Sequence, residues 1–97
     1  MFRHVSLFTF TPETTQGQQQ ELARQLRTLP GAIQQIKDYR VGPDAELNPG
    51  NYQFGIVADF ASVEDYLVYR DHPVHQELIQ AYVRPIVANR AAVQYEF

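Results

Sequence analysis

The order of hydrophobic periods along the chain predicts an α+β fold: a ferredoxin-like β-α-β-β-α-β sandwich, in which one four-stranded antiparallel sheet carries two helical segments on one face. Three observations lead there. Segments of alternating apolar residues and segments of helical spacing follow one another in that order. The order divides into two weakly similar β-α-β halves. Finally, the 97 residues hold no low-complexity segment or linker, so residues 1–97 read as one domain.

The first strand is "FRHVSLFTF", with His4, Ser6, Phe8 and Phe10 on one face and Arg3, Val5, Leu7 and Thr9 on the other. Pro12 ends it, and Thr14 and Thr15 are N-cap candidates for a helix striped by Leu22, Leu26 and Leu29. "LPG" at 29–31 is expected to stop that helix. Ile33 and Ile36 lead into a short strand, "DYRVG", with Tyr39 and Val41 on one face. In the loop "PDAELNPGN", "NPGN" fits a type II turn with Gly50 at its third position. The third strand is read as "YQFGIVADF", with Tyr52, Phe54, Ile56, Ala58 and Phe60 opposite Gln53, Gly55, Val57 and Asp59. Ser62 caps the next helix, with Asp65 as its capping-box partner. Pro73 breaks that helix and suits the first turn of another, whose buried side is His75, Leu78, Ile79, Tyr82 and Ile86. "RAAVQYEF" closes the sheet, with Ala91, Val93, Tyr95 and Phe97 alternating against Ala92, Gln94 and Glu96.

Composition removes several function classes. The net charge is −3 and the eight basic residues are scattered, so nothing tracks a phosphate backbone and nucleic acid is not an expected partner. Without cysteine there is no disulfide, thiol nucleophile or thiolate metal site. "MFRHVSLFTF" lacks the pattern of a signal peptide, and no apolar run reaches the ~20 residues of a membrane span, so a soluble, cytoplasmic protein is expected. No Gly-rich phosphate loop or serine-nucleophile signature is present, and no cofactor is expected.

Two helices cover one side of the sheet; the other should be polar. Here Val5 and Leu7 on the first strand and Gly55 and Val57 on the third, both central in this topology, leave an apolar middle. A second copy of the chain, sheet against sheet in a two-fold homodimer, is the expected cover. A tolerated apolar surface is the alternative.

Chemistry concentrates in "YRDHPVHQ", residues 69–76, which holds two of the three histidines. His75 falls in the first turn of a helix on its apolar side, where burial and the helix dipole both keep the imidazole neutral, the form a general base needs. Tyr69, at the end of the preceding helix, could orient that ring or donate a proton to an enolate oxygen. The plainer reading is that His75 bonds a main-chain group, Asp71 or His72 caps the helix, and Tyr69 packs in the core. A metal site at His72 and His75, helped by Asp71, Glu77 or His4, lacks a further close ligand pair and is not expected. His4 is a core histidine or a pocket residue. Tyr52, Tyr66 and Tyr82 fit core or pocket walls, and Arg84 could bind an acidic ligand group or a helix-end carbonyl.

"RHVSLFTF", "LPG", the "VG" before the long loop, "YQFGIVADF", "YRDHPVHQ" and "ANRAAVQYEF" together resemble the stress-responsive A/B barrel family along essentially the whole chain. The resemblance implies a dimeric α+β barrel with a pocket between helices and sheet. One member type, the plant olivetolic acid cyclase, closes a poly-β-keto chain by an aldol condensation, using a tyrosine and a histidine placed as in Y-x-x-H-P-x-H. Here these map to Tyr69 and His75, and a histidine of its first strand maps to His4. The resemblance implies a pocket lined by His4, Ser6, Phe8, Leu22, Leu26, Phe54, Ile56, His72, Leu78, Ile79 and Tyr82. Phe54 stands where the cyclase has a third-strand histidine, Leu22 and Leu26 where it has large or aromatic residues, and Leu78 or Ile79 where it has glycine, implying a smaller, differently shaped pocket. The expected functions are binding of an apolar or polyketide-like small molecule, cofactor-free cyclase or lyase chemistry, or a purely structural role with a filled core.

Overall fold

A computed structural model describes all residues, 1–97. Strand β1 (Phe2–Phe10) is followed by helix α1 (Gln16–Leu26), a short helix α2 (Leu29–Ala32), and strands β2 (Ile36–Pro43) and β3 (Phe54–Phe60). Helix α3 (Val63–Asp71) and helix α4 (Pro73–Leu78) come next; α4 runs into a π-helical turn, Ile79–Val83, before strand β4 (Val87–Glu96). The strands lie in the order β2-β3-β1-β4, all neighbours antiparallel. This is the ferredoxin-like arrangement that the sequence predicts. No helix is long and apolar enough to cross a membrane.

Local chemistry sets the helix starts. Thr15, not Thr14, caps α1: its Oγ1 accepts from the Gln18 amide at 3.1 Å, and the Gln18 side chain accepts the Thr15 amide at 2.8 Å. Thr14 instead donates to the Ile86 carbonyl. Ser62 Oγ accepts the Asp65 amide at 3.1 Å and caps α3, without the return bond expected of Asp65. His72 caps α4, its Nδ1 accepting the Val74 amide at 3.1 Å, and Pro73 occupies the first turn.

Several elements differ from the sequence reading, among them β2, which runs from Ile36 to Pro43 and not over "DYRVG" alone. Helix α1 ends at Leu26, where Thr28 Oγ1 donates to the Gln25 carbonyl. "LPG" therefore starts a new turn, α2, with Pro30 in its first positions, where a missing N–H costs nothing. Strand β3 begins at Phe54, leaving Tyr52 exposed beside the loop. The last helix is half π-helical, with the Arg84 amide bonding the Ile79 carbonyl five residues back at 2.9 Å. Strand β4 starts at Val87 and not at Arg90, because Val87 already pairs with Phe10 across a bulge.

The core lies between the helices and one sheet face. Phe2, Phe8, Phe10, Phe54, Ile56, Ala58 and Phe60 meet Leu22, Leu26, Leu29, Tyr69, Leu78 and Ile86. Burying each such large apolar side chain contributes about 1.5–3 kcal/mol. On the opposite face, Val5 lies across from Val57 and Val93, and Leu7 across from Gly55 and Ala91. Val5, Gly55 and Val57 are half-buried by their neighbours, whereas Leu7, Val93, Tyr95 and Phe97 are exposed. At one end of this stripe Arg3 grips Asp59 through two bonds of 2.7 and 2.8 Å and stacks 4.6 Å above the Phe97 ring. That pairing holds the Asp59 carboxyl below its usual range.

Candidate functional site

A pocket of about 610 Å³ opens between the sheet and the layer formed by α3, α4 and the π-turn. Strand β1 supplies His4, Ser6 and Phe8, β3 supplies Ile56, and β4 supplies Arg90, Ala92, Val93 and Gln94. Helix α1 touches it through Leu26 alone. The helical wall is Tyr66, Tyr69, Arg70, His75, Gln76, Ile79 and Val83. The π-turn places Ile79 and Val83 on this wall while Leu78 and Ile86 stay in the core.

The break at Pro73 folds His75 back over the end of α3. Its Nδ1 lies 3.0 Å from the Arg70 carbonyl, and a carbonyl only accepts, so Nδ1 carries the proton. Nε2 is then the unprotonated nitrogen. No buried side-chain nitrogen or oxygen lacks a partner, and Nε2 makes no bond within the chain, so it keeps access to solvent. Burial pushes the His75 pKa below its ordinary value, against the opposing effect of the Arg70 carbonyl. The two readings of His75 thus coexist: one nitrogen is tied to backbone, the other is open.

Tyr69 packs against this ring, centroids 4.1 Å apart, rather than bonding it. Its hydroxyl lies 3.1 Å from that of Tyr39 on β2. When Tyr39 donates across this bond, the Tyr69 proton is free for a pocket oxygen. Burial raises the pKa of both phenols, Tyr69 to about 12, so both stay protonated at neutral pH.

A second polar row lies on the floor. The Gln94 amide nitrogen approaches His4 Nδ1 at 2.9 Å, which makes Nδ1 the acceptor; His4 Nε2–H then donates to Ser6 Oγ at 3.0 Å. Arg90 Nη2 reaches the same oxygen at 3.4 Å. Burial first, then the charge of Arg90, lowers the His4 pKa to about 4. His4 is therefore neutral, with both nitrogens occupied, and is not placed to act as a base.

Of the residues expected in the pocket, His4, Ser6, Phe8, Leu26, Ile56, Tyr69, His75 and Ile79 line it. Leu22, Phe54 and Leu78 are core residues outside its lining, because the pocket lies toward β4 and away from the middle of α1. His72 faces its helix cap, and Tyr82 packs half-buried against the core. His72 Nδ1 is engaged by the Val74 amide and His75 Nδ1 by the Arg70 carbonyl, and no three His, Asp or Glu side chains gather into a metal-ligand group. Arg84 is exposed and lies outside the lining. Arg70, Gln76, Val83, Arg90, Ala92, Val93 and Gln94 escaped the sequence reading as lining residues. For Ala92 and Gln94 the signal was present, as the inward half of the last strand's alternation.

The family model described as the stress responsive A/B barrel domain matches residues 2–97. A dimeric ferredoxin-like protein of unknown function from Thermobifida fusca is 36% identical, with a TM-score of 0.91 over 99% of this chain and 90% of its own. A Dabb family protein with a ferredoxin-like fold from Mesorhizobium loti (22% identity, TM-score 0.84, 99% and 95% covered) shares the fold. So does the hydroxynitrile lyase from Passiflora edulis (17% identity, TM-score 0.85, 97% and 90% covered). No protein with a curated description matches.

Proposed function

The chain belongs to the stress responsive A/B barrel domain family, and on that premise we propose that it is a homodimer whose protomers each hold a small apolar or polyketide-like molecule between helices and sheet. The homodimer reading draws on the apolar stripe of Val5, Leu7, Gly55 and Val57, extended by Val93 and Tyr95, and on the dimeric protein from Thermobifida fusca. The observation that carries the ligand reading is the pocket itself. A structural protein with a filled core has no use for a 610 Å³ hollow with an uncommitted imidazole nitrogen in its wall. Nonane-2,4-dione, an alkyl β-diketone, serves as probe. It is expected to shift amide resonances of Ile56, Ile79, Val83 and Ala92 in the wild type and not in Ala92→Phe, which fills the hollow. Unmoved pocket resonances in the wild type would favour the structural role.

A second reading, a cofactor-free cyclase or lyase, is favoured by the His75 tautomer. Nε2 of His75 takes a proton from the carbon next to a carbonyl, the Tyr69 hydroxyl hydrogen-bonds the enolate oxygen, the enolate carbon attacks a second carbonyl of the same chain, and the alkoxide so formed recovers the proton from His75 Nε2. Such acid–base help is worth about 10²–10⁴-fold. Incubated with a poly-β-keto thioester, His75→Ala and Tyr69→Phe should each lose ring product by at least about a hundredfold. Equal product profiles for wild type and both variants would exclude the pair for that substrate.

A further inference from the structure

We propose that the ligand held in this pocket carries a carboxylate, received at the β4 side by the guanidinium of Arg90 and the hydroxyl of Ser6. The inference rests on the pocket being a ligand site and names the chemical class of what enters it. Three observations lead to it. The lining contains two arginines and no aspartate or glutamate, in a protein whose net charge is −3. The two arginines differ in their partners. Arg70 is held by Asp71 through bonds of 2.9 and 3.1 Å, whereas Arg90 forms no ion pair, and its single side-chain bond is the long one to Ser6. Lastly, Ser6 is buried and its Oγ already accepts from His4 Nε2–H and Arg90 Nη2–H, so its own proton has no acceptor in the chain and is free for an entering oxygen.

A guanidinium fork beside a hydroxyl donor is a receptor for a planar anion, and a carboxylate oxygen can take both donors at once. The placement also fixes the pose. Arg90 and Ser6 lie on the sheet floor, while Phe8, Leu26, Ile56, Ile79 and Val83 form the apolar remainder. With the carboxylate on β4, the tail runs under the helices past His75. Through its 3.4 Å bond to Ser6 the fork joins the polar row of His4 and Gln94 on the floor.

The test compares octanoate with octan-1-ol by calorimetry at neutral pH, in the wild type, Arg90→Gln and Arg90→Lys. Octanoate is expected to bind the wild type at least about tenfold more tightly than octan-1-ol, as a charge-assisted bond in a partly enclosed site requires. Arg90→Gln should bring that ratio to about one by weakening octanoate more than octan-1-ol, and Arg90→Lys should retain part of it. Equal binding of acid and alcohol by the wild type, or an unchanged ratio in Arg90→Gln, would overturn the carboxylate assignment and leave the pocket reading standing. Binding of neither probe would overturn both.

Discussion

Acidification below about pH 6.5 should weaken this fold, and His4 is the reason. Its ring sits buried against Tyr66, with Gln94 donating to Nδ1, Ser6 accepting from Nε2–H, and Arg90 and His75 as the charged or titratable neighbours. The unfolded chain accepts a proton near the ordinary value of 6.5, whereas the folded chain declines it until about 4. Between those values the unfolded state binds more protons, so stability rises with pH and is lost as pH falls through the window. At about 1.4 kcal/mol per pH unit the loss reaches about 3 kcal/mol, a large part of the 5–15 kcal/mol typical of a domain. His75 is lowered too and acts in the same direction. Asp59, also lowered, contributes stability that is lost only below its ordinary 3.8, outside this window. Urea unfolding at fixed protein concentration, from about pH 7 to about pH 4.5, reads the slope. Substituting Gln for His4 should flatten it. A His4 ring resonance that titrates near 6.5, or an undiminished slope in the variant, would refute the reasoning.

Three further outcomes are expected. Leu22→Ala, at a site with no solvent exposure, should cost about 2–5 kcal/mol in urea unfolding while leaving probe binding in place, since Leu22 is not a lining residue. Thr15→Ala should lower stability by about 1 kcal/mol through loss of the bond from the Gln18 amide to Thr15 Oγ1, and Thr14→Ala should not reproduce this at the helix start. Leu7→Asp puts a charge in the middle of the apolar stripe and should convert the proposed dimer to monomer in light scattering at micromolar concentration; a wild type that is already monomeric there would remove the dimer reading.

The first strand was legible because it alternates cleanly: every inward residue expected on β1, from His4 to Phe10, is buried. The helical layer was less so. Proline was read as a stop at Pro30, where it serves as a start, since its fixed φ fits either side of a helix boundary. The π-turn left no mark in the 3.6-residue stripe, and it decides that Ile79 faces the hollow while Leu78 does not. At the site, the heptapeptide from Tyr69 to His75 drew the eye because histidine is rare in this chain. Arg90 did not, because a basic residue at the start of a strand is unremarkable until its neighbours are known. What singles it out is the company of Ser6 and the lack of an acidic partner, and both are facts of three dimensions.

Strand β4 is a party wall. Beyond the bulge its even-numbered side chains furnish one room and its odd-numbered ones the facade, with a single thickness of backbone between: Arg90, Ala92 and Gln94 stand over Phe8, Ser6 and His4, while Ala91, Val93 and Tyr95 stand over Leu7, Val5 and Arg3. A shift of one residue would turn every tenant round to the wrong side. Descent with modification can therefore rework this stretch by exchanging letters in place, but an insertion or deletion within it would spoil the hollow and the outer wall in one stroke.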